Sequence, residues 1–257
     1  MKTIKLLLVA LVATAFTQVN AQTADEIIAN YFENTGGIEA WQKLEGIKMT
    51  AKVNQGGMEI PLEIVQLKNG KQMTSISFQG LEIKQGVFDG ETLWSTNFQT
   101  QKAEKSDKES TDNMKIQAGD FPDPFLNYKE KGYTVELLGN ESIDGTETFK
   151  IKITKKPMIV DGKEEENSSI YYFDAENFVP IMVHTEVRMG PGKGMISEAK
   201  MSDYQEVDGL YFPFSLSQGI KGGQGQGITI DTLEINPKVD DSVFKFPEEI
   251  ATEDKKN

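Results

Sequence analysis

The chain has 257 residues, no cysteine and one histidine, and its 27 Lys and Arg face 40 Asp and Glu, a formal net charge of −13. Without cysteine, disulfides, thiolate catalysis and thiolate metal sites are excluded. Nucleic acid and anionic membrane surfaces would on average repel so acidic a chain, because they are bound by clustered Lys and Arg.

Residues 1–21 have the organisation of a secretory signal peptide. Lys2 and Lys5 precede an apolar run from Leu6 to Phe16, and a small-residue cleavage site ends at Ala21. The run is shorter than the ~20 apolar residues that cross a bilayer. We therefore predict export to the periplasm, cleavage after Ala21 without a lipid-anchor cysteine, and a mature chain with 25 Lys and Arg against 40 Asp and Glu.

A helix is predicted immediately after the cleavage site. Thr23 and Glu26 fit a capping box, and Gly36-Gly37 is a helix-ending signal. The apolar residues of this helix share one face and are Ile27, Ile28, Tyr31 and Phe32. Periodicity alone favours a helix packed on a sheet as ordinary core, and a lid over a cavity is the alternative.

From Gly46 the apolar period changes to two, which is typical of half-buried antiparallel strands. The pattern continues to Phe98 with glycine-containing turns between the strands. Pro61 cannot donate a ladder hydrogen bond, so we expect it at an edge strand or a bulge. This favours an open sheet.

The polar stretch 99–113 is predicted to be an exposed loop or a frayed helix. In the segment 121–128, two prolines and three aromatic residues predict a short helix starting near Pro124. Its residues Phe125 and Leu126 would form a lid over the sheet or plug a corner of the core, and the sequence slightly favours the plug.

Alternation from Tyr133 to Met189 predicts a further antiparallel meander, followed by strands in 195–216 and 228–235. Aromatic residues in 236–247 are expected to latch the tail to the body, and 248–257 to be disordered. We expect residues 22–247 to form a single domain and a monomer.

Catalytic motifs are not recognisable in the sequence. His184 is placed by strand parity on a face that we interpret as solvated, and one histidine cannot start a zinc site. The glycine-rich stretches 190–194 and 222–227 are better interpreted as hairpin tips than as phosphate loops. The acids of 161–166 lack the ligand spacing of a calcium loop. We therefore predict no metal, no cofactor and no enzymatic activity.

The order of these features resembles the bacterial LolA-like family of lipoprotein-sorting carriers and its LolB and LppX-type relatives. The passages that carry the resemblance are 29–41, 89–94, 138–153, 207–213 and 236–247. The resemblance implies an α+β fold that is mainly β: an unclosed antiparallel β-barrel or strongly curved half-barrel, with an N-terminal helix and a short lid over its concave face.

The resemblance also implies a carrier that shields acyl chains of lipoproteins or lipids during outer-membrane sorting, with inner-membrane donor and outer-membrane acceptor proteins as partners. The predicted cavity lining, taken from inward strand parity, is Met49, Val53, Ile60, Leu62, Phe78, Ile83, Val135, Ile151, Ile153, Ile181 and Val183. The predicted lid residues are Ile27, Ile28, Tyr31, Phe32, Phe125 and Leu126.

One feature departs from the family. LolA carriers are similar to each other in holding the lid with an arginine on an early strand, whereas Arg188 is the only arginine here and Lys48 and Lys52 occupy the early strand. A secreted hydrolase that uses paired acidic residues, or a structural envelope protein without a ligand, are the alternative functions.

Overall fold

A computed structural model describes residues 22–247. The predicted signal peptide and the predicted disordered tail lie outside these residues. The helices are α1 (Ala24–Asn34), α2 (Ile38–Gln42), α3 (Lys108–Ala118) and a 3-10 turn (Asp241–Phe244). The strands are β1 (Gly46–Gln55), β2 (Met58–Leu67), β3 (Gln72–Phe78), β4 (Leu81–Phe88), β5 (Leu93–Thr96), β6 (Ala103–Lys105), β7 (Thr134–Ile143), β8 (Thr146–Thr154), β9 (Met158–Val160), β10 (Lys163–Glu165), β11 (Ser168–Asp174), β12 (Pro180–Glu186), β13 (Ile196–Val207), β14 (Leu210–Ile220) and β15 (Gln226–Ile235).

Thirteen strands form one antiparallel sheet in the order β6-β5-β4-β3-β2-β1-β15-β14-β13-β12-β11-β8-β7. The first and last strands of this order are not paired with each other, so the sheet is unclosed. Strands β9 and β10 form a separate hairpin between β8 and β11. The open antiparallel architecture predicted from the alternating pattern is confirmed.

Helix α1 covers one face of the sheet, which we call the inner face. Thr23 Oγ1 accepts a hydrogen bond from Glu26 N at 3.2 Å, and the Glu26 side chain accepts one from Thr23 N at 2.8 Å, so the predicted capping box is formed. Ile27 and its apolar neighbours pack against Ile151 and Ile153 of β8. The helix therefore buries the apolar face that its 3.6-residue period predicted.

Residues 106–132 cross the inner face from β6 at one edge of the sheet to β7 at the other. Helix α3 begins in this segment with Asp107 as its N-cap, and buried Asn113 exchanges two 2.7 Å hydrogen bonds with the backbone of Ile159 in β9. Within the polar stretch 99–113, residues 103–105 therefore form β6 and residues 108–113 belong to a docked helix, so most of it is not an exposed loop. The short helix predicted near Pro124 is wrong, because Asn127 adopts a left-handed conformation that interrupts helical backbone.

A second apolar cluster lies on the outer face. Val65, Met73, Val87 and Trp94 of the sheet pack there with Phe244 of the C-terminal segment. The Trp94 indole donates to the Phe244 carbonyl at 2.9 Å. The predicted latch between the tail and the body is therefore confirmed.

Pro61 lies in β2, which is an internal strand between β1 and β3, so the expectation of an edge strand is wrong. Pairing between β2 and β3 begins at Leu62 opposite Ile76. Pro61 is just beyond this paired region, and no ladder hydrogen bond to β3 is lost.

Candidate functional site

The strand register brings the predicted lining residues of β1 to β4 together on the inner face. Val53 lies opposite Ile60, and Leu62, Ile76 and Ile83 lie side by side across β2, β3 and β4. Phe78 follows Ile76 on the same face because side chains alternate along a strand. We call the surface formed by Val53, Ile60, Leu62, Ile76, Phe78 and Ile83 the open trough.

The open trough is apolar and only partly packed, because Val53 (8% exposed) and Ile83 (7% exposed) are buried while its other members are not. Ile60, Leu62, Ile76 and Phe78 are half-buried. Among the trough residues only Leu62 packs against the cluster beneath α1. Met49, which is also a predicted lining residue, packs there as well. The trough therefore offers apolar surface on the concave side that the protein's own helices leave accessible.

The opposite part of the inner face is filled. Ile151 and Ile153 are both 0% exposed, and α1 and the crossing segment lie on top of them. Phe125 packs its ring 4.8 Å from that of Tyr171 and 5.4 Å from that of Phe173. Two of the predicted lining residues are thus core residues in this structure. We call β7, β8, β11 and β12 the covered half and β1 to β4 the open half, with Ile47 and Ala51 of β1 still belonging to the core beneath α1.

The remaining lining residues of the covered half are Val135, Ile181 and Val183, and all three are half-buried. Val135 packs against the core beneath α1. A cavity of about 410 Å³ lies at the C-terminal end of β12, lined among others by Tyr171, Thr185 and Val187, and none of the three predicted lining residues borders it.

The predicted lid residues occupy the core. Ile27, Ile28, Tyr31 and Phe32 of α1, with Phe125 and Leu126 of the crossing segment, are each at most 5% exposed. The Phe125 segment is therefore the plug that the sequence favoured. A groove of about 450 Å³ remains on the outside between α1 and this plug, lined by Ile28, Phe32 and Tyr128 among others.

The carboxyl group of the half-buried residue Asp123 joins α1 to the plug. Asp123 accepts hydrogen bonds from the Tyr31 hydroxyl at 3.0 Å and from Phe125 N at 2.8 Å. Burial is the main cause that raises the pKa of Asp123 to about 6, and the two hydrogen bonds act in the opposite direction. Sequence reasoning missed this residue, although an acid between two prolines and flanked by aromatic residues could have indicated it.

Further polar groups surround this carboxyl group. Asp120 accepts from the Tyr133 hydroxyl at 2.8 Å and from Lys155 Nζ at 2.5 Å. Lys131 Nζ donates to the Asp123 carbonyl at 3.1 Å, and desolvation lowers the pKa of Lys131. The cluster fixes the crossing segment on α1 and the sheet, and charges of both signs are present in it.

The environment of His184 differs from the solvated face that we inferred from the sequence. It lies on the outer face, as parity predicted, but it is buried and not solvated. Its Nδ1 is 3.1 Å from the Tyr172 hydroxyl and its Nε2 is 2.9 Å from Glu198. Among residues 22–247, no group of three His, Cys, Asp or Glu side chains is arranged to hold a metal ion.

The glycine-rich stretches are hairpin tips, as predicted: 190–194 joins β12 to β13, and 222–227 lies between β14 and β15 and enters the latter. None of the helices in the described range 22–247 combines the length and the apolar character needed to span a membrane.

Known structures share this architecture. A LolA superfamily protein from Nitrosomonas europaea superimposes with a TM-score of 0.51 and 16% identity, over 88% of this chain and 98% of that chain. A DUF1329 family protein from Desulfovibrio piger gives a TM-score of 0.52 and 12% identity over the same shares of the two chains. No protein-family model matches the sequence, and no curated protein matches it.

The unclosed antiparallel sheet with helices on its inner face is therefore a LolA-like half-barrel, and the resemblance inferred from the sequence is confirmed at the level of the fold.

Proposed function

We propose that this protein is an exported, non-enzymatic carrier that holds the acyl chain of a lipoprotein or lipid against the open trough. The observation that supports this proposal is that four apolar side chains of the trough, Ile60, Leu62, Ile76 and Phe78, are only half-buried on the concave face. Shielding an acyl chain requires apolar area and no charge chemistry, since each buried methylene contributes about 0.8 kcal/mol.

The proposal assigns different roles to the predicted site residues. Ile60, Leu62 and Phe78 contact the acyl chain, and Val53, Ile83 and Met49 lie beside them. Ile181 and Val183 on β12 are separated from this surface by β13 to β15 and form a second apolar strip. Ile151, Ile153 and the residues of α1 and the plug hold the curved sheet in shape. An inner-membrane donor and an outer-membrane acceptor would deliver and receive the acylated cargo.

Native mass spectrometry of the protein purified from the periplasm tests the proposal. We expect a co-purified acylated molecule on the wild-type protein. The double variant Leu62→Gln/Phe78→Gln places two amides in the trough and should lower the affinity for a fluorescent fatty acid by about tenfold or more, because a buried amide without a partner is strongly disfavoured.

The matched control uses the adjacent residues on the same two strands. Glu63 and Ser77 point to the outer face, so Glu63→Gln/Ser77→Gln should leave the affinity unchanged. A wild-type protein that binds neither lipid nor fatty acid would contradict the proposal, as would equal loss of affinity in the two double variants.

A further inference from the structure

Exposed apolar side chains are concentrated at one end of the sheet. Of nine large hydrophobic residues that are exposed in the described part of the chain, six lie at or beside hairpin turns of this end. They are Met58, Leu81, Phe98, Met189, Met195 and Ile220, and we call them the apolar rim.

Topology explains why these residues meet. Antiparallel neighbours place alternate turns at the same end, so the turns β1–β2, β3–β4, β5–β6, β12–β13 and β14–β15 share one end. Along the strand order the rim runs from Phe98 through Leu81, Met58 and Ile220 to the two methionines. Eight strand spacings of about 4.8 Å separate its ends, or about 38 Å along the curved edge.

The two ends of the sheet differ in charge as well. Turns 55–58, 78–81, 97–102 and 220–225 hold Lys102 and Lys221 and no acid, although the exposed Glu59 and Glu82 directly follow two of them. Of the five hairpin turns at the opposite end, four carry an acid, among them Asp89, Asp144 and Asp208, and the β2–β3 turn carries Lys68 and Lys71 instead.

The acid-free part of the rim lies above the open half. The β12–β13 turn also has no acid, but Lys193 pairs with Asp161 at 2.7 Å and Arg188 with Glu165 at 3.5 Å. These acids belong to the β9–β10 hairpin, which connects β8 to β11 on the side of the covered half. Within residues 22–247, the stretch whose turns contain no acid and no lysine paired with one is therefore the one between Phe98 and Ile220.

We propose that this rim docks on the surface of a lipid bilayer, with Met58, Leu81, Phe98 and Ile220 inserted among the lipids. Each of these four hairpin turns presents one apolar side chain. Separate apolar side chains can each insert into a fluid lipid interface, whereas a protein partner would need a matching pocket for each of them. Lys102 and Lys221 complement the lipid phosphates, while the acidic bulk of the protein faces away.

This inference goes beyond the proposed carrier function, because a carrier could load and unload on proteins alone. The rim borders the trough directly, since Phe78 ends β3 and Leu81 begins β4 on either side of one turn. Docking at this end would bring the apolar surface of the trough next to the bilayer, where acylated molecules reside.

Vesicle co-sedimentation tests the inference. We expect the wild-type protein to bind vesicles of phosphatidylcholine and phosphatidylglycerol. The variant Met58→Ser/Leu81→Ser/Phe98→Ser should bind them about tenfold or more weakly, because the apolar area inserted in lipid sets the affinity. The control Ile38→Ser/Leu138→Ser/Tyr211→Ser removes three exposed apolar residues elsewhere and should bind like the wild type.

A tryptophan reporter gives an independent measurement. The native Trp41 and Trp94 are each 3% exposed and are shielded from lipid. Phe98→Trp should be quenched by brominated lipids, and Tyr211→Trp at the opposite end should not. Native mass spectrometry of the rim variant should still show the co-purified acylated molecule, so that docking and cargo binding are tested separately.

Three results would each overturn the inference: a wild-type protein that does not co-sediment with vesicles, equal loss of binding in the rim and control variants, or equal quenching of the two reporters. Loss of cargo with normal vesicle binding would instead count against the carrier function alone.

Discussion

The two halves of the inner face have the same alternation of apolar residues but different surroundings. In the covered half, Ile151 and Ile153 lie beneath α1 and are fully buried. In the open half, Ile60 and Leu62 occupy equivalent inward positions on β2 and remain partly exposed. The same strand pattern therefore serves as core where a helix covers it and as accessible surface where none does.

The difference shows where stability and binding capacity reside. A side chain that a helix covers stabilises the folded state, and one that remains accessible can instead contact a ligand and stabilise the bound complex. The curved sheet can thus keep an apolar trough in water because the covered half supplies the packing that holds the fold.

The largest difference between the halves is expected in the free energy of unfolding when an inward isoleucine is replaced by alanine. Ile153→Ala should lower the free energy of unfolding by about 2–5 kcal/mol, because it leaves a cavity under α1. Ile60→Ala removes the same atoms from a half-exposed site and should cost about 1 kcal/mol or less. Urea unfolding of both variants measures this, and equal losses would show that the open half is packed in solution.

The carboxyl group that joins α1 to the plug predicts a pH dependence in the covered half. Burial raises the pKa of Asp123 from 3.8 to about 6, so between these pH values the folded protein keeps a proton that the unfolded chain releases. Stability must then fall as the pH rises through this window and become level above it. The shift corresponds to at most about 3 kcal/mol.

Asp123→Asn removes this titration. The amide oxygen can accept from Phe125 N, and the amide can donate to the Tyr31 hydroxyl. We expect the variant to gain stability relative to the wild type as the pH rises from 4 to 7, as measured by urea unfolding at several pH values. A stability difference that does not change with pH would show that Asp123 is not buried in an ionisable form.

Local patterns in the sequence predicted the longer strands, the capping box and the inward parity of both halves, but not the short strands β6, β9 and β10. They could not indicate which half is covered, because α1 packs on Ile151 and Ile153, more than a hundred residues away in sequence. The burial of His184 depends similarly on Tyr172 and Glu198, which belong to neighbouring strands. Strand parity fixes the face of a side chain, and tertiary packing decides what covers it.

Helix α3 shows a different limit. Its sequence, Lys108 to Ala118, is polar and has little amphipathic character, so its periodicity gave no clear signal. Asp107 accepts a hydrogen bond from Ser110 N at 2.7 Å, and its residue type could have identified it as an N-cap in the sequence. What orders the helix is the pair of bonds between Asn113 and Ile159, and no local pattern predicts such a contact.

A smaller loss of stability is expected from substitutions at the N-terminus of α1, which packs on the covered half. Thr23→Ala removes the acceptor for Glu26 N and should lower the free energy of unfolding by about 1 kcal/mol. Thr23→Ser keeps the hydroxyl group and should retain most of the stability. If serine cost as much as alanine in thermal unfolding, the capping box would not be what stabilises this end of the helix.

The smallest effect is expected on the outer face of the open half. Lys48 and Glu63 form a 2.7 Å ion pair, and each side chain is about one-third exposed. Water and salt weaken such pairs, so Lys48→Gln should change the free energy of unfolding by less than about 1 kcal/mol, and high salt should abolish the change. The comparison is Lys155→Gln, which leaves Asp120 with the Tyr133 hydroxyl but without its ion-pair partner, at a site where the Lys155 and Asp120 side chains are less than one-fifth exposed. That loss should be larger and persist in salt, because a covered charge cannot recover its hydration. A salt-sensitive loss of equal size at both sites would mean that water reaches Asp120, and the crossing segment would then not seal the covered half.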